Sequence, residues 1–183
     1  MVVVRVTHSG QEGFSVLLFG ESVGDALLID TVGAYVGVRG ASVSLRNRTG
    51  LVPGPHRLEV RADGPWTINV GQEFPREENT SSAPPLRLAE QRGDDVKRWV
   101  RLPEGEFLIR ASHLGTGKFV VGLINADGGA EVLVLDKTGV FEGERLLRVG
   151  PASSPASSGE DLTPGFYALV VQADGAWEID IQP

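Results

Sequence analysis

The sequence predicts an all-β protein of two tandem β-sandwich domains, jelly-roll-like and related by internal duplication. Three observations predict it. Apolar residues alternate with others in short runs of five to seven residues. Gly, Pro and Asp bound those runs at close intervals. A block of twenty residues recurs with ten positions unchanged.

The alternating runs give the strands in order. In the first half they are Phe14, Val16, Leu18; Val36, Val38; Val43, Leu45; Leu58, Val60; and Trp66, Ile68, Val70. In the second they are Phe119, Val121, Leu123; Val132, Val134; and Trp177, Ile179, Ile181. Asp63-Gly64 and Asp174-Gly175 stand between such runs, and Asp-Gly supplies the positive φ angles of a tight hairpin, so each half ends in one. Pro53-Gly54 and Pro164-Gly165 mark the turns entering those hairpins. The only helix-tolerant stretch, about 86–100, is broken by Gly93.

The repeated block is 51–70, which lies over 162–181 without a gap. Upstream, Arg5, His8, Gly10 and Phe14 match Arg110, His113, Gly115 and Phe119. Between the blocks, Leu27, Asp30, Gly33, Tyr35 and Gly37 match Leu133, Asp136, Gly139, Phe141 and Gly143. We place repeat one at 1–71, a Pro/Ser/charged linker at 72–94 and repeat two at 95–183. Repeat two is led by an extended run, Asp95 to Leu102, for which repeat one has no room after Met1. Repeat one is therefore expected to have an unpaired sheet edge, filled by Leu86-Arg87-Leu88 or by a strand from a second chain.

Composition excludes several chemistries. The 183 residues contain no Cys, so there is no disulfide, thiolate nucleophile, iron–sulfur cluster or Cys-ligated zinc. The formal charge is -7, from 17 basic and 24 acidic residues, with no basic run longer than two residues, which argues against nucleic acid as a partner. Residues 101–183 carry twelve acidic and six basic side chains, so the excess charge lies in repeat two, where a basic partner is the functional reading and a solvated face the simpler one. No apolar run approaches a membrane span and no secretory h-region is present, so a cytoplasmic location is the default expectation. Fourteen Arg against three Lys is the usage of some thermophilic families and of GC-rich genomes alike.

Candidate sites follow from the repeat. Trp66 and Trp177 are equivalent and are read as core plugs of their own sandwiches, since each shares a face with the apolar residues that follow. His8 and His113 are equivalent and precede Gly10 and Gly115. With three His in the chain and no His-x-x-x-His, hydrogen bonding of each ring to a loop backbone is the reading, rather than metal ligation. Asp30 and Asp136 are read as Asx-type turn formers. Tyr35, Trp99, Phe141, His8 and His113 are the candidate ligand-binding residues. Neither a Gly-x-Ser-x-Gly elbow nor a glycine loop opening a helix is present, so no catalytic residue, metal or cofactor is assigned.

The run Leu-Leu-x-Asp, then Gly-x-Tyr/Phe-x-Gly, then Pro-Gly-x-x-x-Leu-x-Val-x-Ala-Asp-Gly-x-Trp-x-Ile resembles a β-sandwich repeat of bacterial and archaeal proteins of uncharacterised function, often exported. The resemblance covers most of both repeats and is most specific at Ala-Asp-Gly-x-Trp. It implies a β-sandwich, offers export as the alternative location and assigns no residue a role. The expected function is non-catalytic binding of a glycan or protein by the two repeats. The alternatives are assembly through sheet edges or faces, including a homodimer, and a hydrolase with its site at the junction of the repeats.

Overall fold

The computed structural model describes residues 1–20, 25–43, 51–72, 83–126, 131–150 and 162–183. All regular structure among them is β, in fourteen strands. Unit one, through Phe74, holds β1 (Val2–His8), β2 (Gly13–Gly20), β3 (Asp25–Val32), β4 (Tyr35–Ala41), β5 (His56–Arg61) and β6 (Trp66–Gln72). Unit two, Pro75–Asp127 and Glu131–Pro183, holds β7 (Leu86–Arg92), β8 (Asp95–Leu102), β9 (Gly105–His113), β10 (Lys118–Asn125), β11 (Glu131–Thr138), β12 (Phe141–Val149), β13 (Gly165–Ala173) and β14 (Ala176–Gln182).

Unit two is a complete sandwich. Its sheets run β7-β14-β9-β12 and β8-β13-β10-β11, and every pairing between neighbours is antiparallel. Counted within the unit, the orders are first-eighth-third-sixth and second-seventh-fourth-fifth, the double Greek key of an eight-stranded jelly roll. Phe107 and Ile109 on β9 and Trp177 and Ile179 on β14 share one core with Phe119, Val121, Leu169 and Val171 from the opposite sheet. Each such side chain contributes about 1.5–3 kcal/mol by leaving water.

Unit one repeats the inner part of this topology. Its sheets are β6-β1-β4 and β5-β2-β3, which map onto β14-β9-β12 and β13-β10-β11. Val4 and Val6 of β1 pack with Phe14, Val16 and Leu18 of β2 in its own core. The correspondence reaches irregular features. A bulge follows Val16 in one unit and Val121 in the other, and the parallel bridge Val43 to Leu51 returns as Val149 to Leu162. Close to each bulge, two successive residues of the paired strand are buried, Leu28 with Ile29 and Val134 with Leu135, where strict alternation would expose one.

Three expectations from the sequence are corrected. The Asp63-Gly64 and Asp174-Gly175 turns do not close hairpins: β5 and β6 enter different sheets, as do β13 and β14, and neither Gly64 nor Gly175 has a positive φ, so each turn arches from one sheet to the other. Leu86 to Leu88 do not complete unit one: they belong to β7 and pair with β14 of unit two. Among the described residues unit one has no counterpart of β7 or β8, so β5 and β6 each have one unpaired edge. Val36 does not point inward. Tyr35 lies opposite the buried His8, opposed residues share a face, and Val36 is left 78% exposed. The expected run Val43 to Leu45 passes at residue 44 outside the described residues.

Candidate functional site

The residues that carry chemistry converge at one corner in each unit. In unit one His8 ends β1 opposite Tyr35 on β4 and Trp66 on β6. Its ring stacks on Phe14 at 4.2 Å between centroids, and Phe14 in turn meets Tyr35 at 6.2 Å. Nδ1–H donates to the carbonyl of Gly33 across 3.0 Å, since a carbonyl can only accept. The Asp63 carboxylate, from the β5–β6 turn, places Oδ1 3.1 Å from His8 Nε2. Its Oδ2 accepts the backbone N–H groups of Gln11 and Glu12 at 2.8 and 3.0 Å.

Unit two builds the same corner from the equivalent residues. His113 Nδ1–H donates to the Gly139 carbonyl across 2.9 Å, and its ring stacks on Phe119, which meets Phe141. Asp174 Oδ1 lies 3.1 Å from His113 Nε2, though without the alignment of a hydrogen bond. Asp174 Oδ2 accepts from the N–H groups of Thr116 and Gly117 at 3.1 and 2.7 Å. The turn glycines Gly33 and Gly139 have φ of 86° and 83°, the left-handed conformation that presents each carbonyl to its imidazole.

The electrostatics follow from these contacts. The N–H of Gln11, then that of Glu12, hold the Asp63 carboxyl below the usual aspartate range, with His8 adding a smaller pull in the same direction. At Asp174 burial pushes upward, but the N–H groups of Gly117 and Thr116 outweigh it and His113 adds to them, so this carboxyl also lies low. His8 and His113 are almost fully buried, at 3% and 0% exposure. In the neutral His8 ring Nε2 accepts the Gly10 N–H at 3.2 Å; in a protonated ring it faces the Asp63 carboxylate. Each Asp–His pair therefore buckles three loops together.

Asp63 and Asp174 are legible in the sequence only as turn residues. The signal that finds them is joint recurrence, because His8 with Asp63 and His113 with Asp174 are kept together across the repeat. Asp30 and Asp136 do not form Asx turns. They are exposed positions inside β3 and β11, opposite Ser15 and Val120. Of the ligand candidates, His8, His113 and Trp99 have no surface to present; Trp99 is fully buried in unit two at φ 60°. Tyr35 and Phe141 are half-buried lids over Phe14 and Phe119.

The open side of unit one departs from the repeat. Trp177 is 1% exposed, covered by β7, and its indole N–H donates to the Gly93 carbonyl at 2.8 Å. Trp66, its equivalent, is 48% exposed, and no acceptor meets its indole N–H among the described residues. The reading of Trp66 as a core plug is thus corrected: no covering strand stands beside β6 among the described residues. Val70 is half exposed where Ile181 is buried, and Leu58, Val60 and Ile68 are half-buried where Leu169, Val171 and Ile179 are fully covered. Strand β6 carries no charged residue, although charge is the common device that keeps an edge from pairing.

A second concavity, 580 Å³, lies on the outer face of unit two's β7-β14-β9-β12 sheet. Its cations are engaged, Arg110 with Glu144 at 3.4 Å and Arg87 with Glu178 at 3.6 Å. Among the described residues no group of three or more His, Asp and Glu is placed to hold a metal ion. No helix there is long and apolar enough to cross a membrane.

Fold and corner together define a two-unit β-sandwich protein with one closed jelly roll and one that, among the described residues, is open at a side. No protein-family model matches the chain, and no curated protein resembles it significantly.

Proposed function

We propose that this protein is a non-catalytic protein-binding module whose working surface is the open side of unit one. The observation that carries the reading is the contrast between repeats: five equivalent apolar positions on β5 and β6 are covered in unit two and partly bare in unit one. Bare edges that offer backbone donors and acceptors beside an apolar strip are what strand addition uses, with main-chain bonds for affinity and side-chain pockets for selectivity. Assignment of His and Asp to the buckles supports a binding role, because their polar atoms already serve loop backbone in both repeats.

The test is selection of displayed random peptides on the immobilised full chain, beside a glycan array. Peptides of alternating apolar pattern should be enriched and should lose binding to a Val70→Lys variant, which adds charge at a half-exposed position. Absence of any such peptide, together with glycan binding unaffected by Val70→Lys, would overturn the reading.

A further inference from the structure

We infer that the occupant of unit one's open side is a strand–turn–strand arch of another polypeptide, with the chemistry of β7–β8. This rests on the binding reading above and adds the identity of the ligand class. The chain itself holds the template. In unit two, β7 and β8 are consecutive strands joined at Gly93-Asp94, and they add to different sheets on the same side of the sandwich. Leu86 and Leu88 stand opposite Ile181 and Ile179 on β14, while Val100 stands opposite Tyr167 on β13. The connecting turn is read twice: the Gly93 carbonyl accepts from Trp177 Nε1, and Asp94 Oδ1 accepts from the Ala173 backbone N–H, each at 2.8 Å.

Unit one offers the same receptor, without its occupant among the described residues. Trp66, Ile68 and Val70 stand for Trp177, Ile179 and Ile181, and Ala62 stands for Ala173. Both bare edges lie on the same side, since β6 and β5 hold the places of β14 and β13. A single strand would leave one sheet unpaired. An arch whose two strands join different sheets pairs both, covers the apolar strip, and brings a carbonyl and a carboxylate to Trp66 Nε1 and Ala62 N–H. The required ligand is a strand–turn–strand arch with Leu-x-Leu on one arm, a bulky apolar residue on the other and Gly-Asp at its turn.

The experiment titrates the full chain with a synthetic peptide of sequence 86–102 carrying Trp99→Phe, so that all indole fluorescence comes from the protein. Saturable one-to-one binding is expected, with a blue shift that disappears in Trp66→Phe. Affinity should fall about tenfold or more in Val70→Lys, whose retained fold is checked by circular dichroism. Binding unaffected by Val70→Lys would mean insertion into unit two, and no binding at millimolar peptide would mean that the template does not transfer; either overturns the inference. So would a peptide-free dimer abolished by Val70→Lys, with a second copy on the open side. If this peptide fails while display selects single strands sensitive to Val70→Lys, the two-strand arch is wrong and the binding module stands.

Discussion

Nε2 of His113 lies 3.1 Å from Oδ1 of Asp174, and the same 3.1 Å separates His8 from Asp63 in the other unit. A chain that repeats a buried imidazole, its carbonyl acceptor and a carboxylate closing a loop has repeated a structural device. Its energetics can be measured.

The two carboxyls predict an acid limb. Both are held below the usual aspartate range in the folded protein, so their contribution is present above the unfolded value, about pH 4, and is lost as pH falls through the folded one. Asp63→Asn and Asp174→Asn should lower Tm at pH 7, with the gap to the wild type closing at acid pH. Thermal melts from neutral to strongly acidic pH check this, and curves running parallel throughout would contradict it.

The corner leaves no room for a methyl group. A Cβ on Gly115 would strike the Asp174 carboxylate and the His113 ring, and one on Gly175 would strike the backbone of Gly115. Gly115→Ala and Gly175→Ala should each cost about 1–3 kcal/mol in urea unfolding. Gly13→Ala, whose Cβ would meet nothing within 4 Å, is the control and should stay within about 0.5 kcal/mol.

The equivalent tryptophans should behave unequally. Trp177→Ala removes a fully buried ring with a satisfied N–H and should cost about 3–5 kcal/mol. Trp66→Ala, at a half-exposed edge, should cost about 1–2 kcal/mol. Iodide quenching of the wild type should fall to almost nothing in Trp66→Phe, because Trp99 and Trp177 are shielded. Equal losses from both alanine variants would mean that β6 is covered in solution.

Cross-strand ion pairs on the outer face of unit two should matter little. Arg148 and Glu106 are directly opposed on β12 and β9 at 3.0 Å, yet both side chains are mostly exposed. Glu106→Ala should change stability by less than about 1 kcal/mol, and less again in high salt. A denaturation series at two ionic strengths checks it.

Much of this is legible in the chain. Alternation at Phe14, Val16, Leu18 and at Trp177, Ile179, Ile181 gives strands because a half-buried strand must alternate, and the Asp-Gly dipeptides mark turns, but not hairpins, since the strands on either side of each turn enter different sheets. The ring-to-loop bonds expected of His8 and His113 are the ones the structure contains. Val36 turns outward because alternation gives a period without a phase, which only the pairing of Tyr35 with His8 supplies. Asp63 and Asp174 are half legible: the turn is local, whereas the N–H groups they accept lie more than fifty residues away.

Composition, periodicity and repetition by themselves determined an all-β chain with two alike halves, since these follow from contacts between near neighbours and from direct comparison of residues. Tertiary structure alone decided that Leu86–Arg92 serves unit two, and that Trp66 and Trp177, alike in local sequence context, differ by nearly half their surface in exposure. The physical reason is that burial at a sheet edge is set by whichever strand arrives beside it. That strand is specified elsewhere in the chain, and among the described residues unit one presents its edge without one.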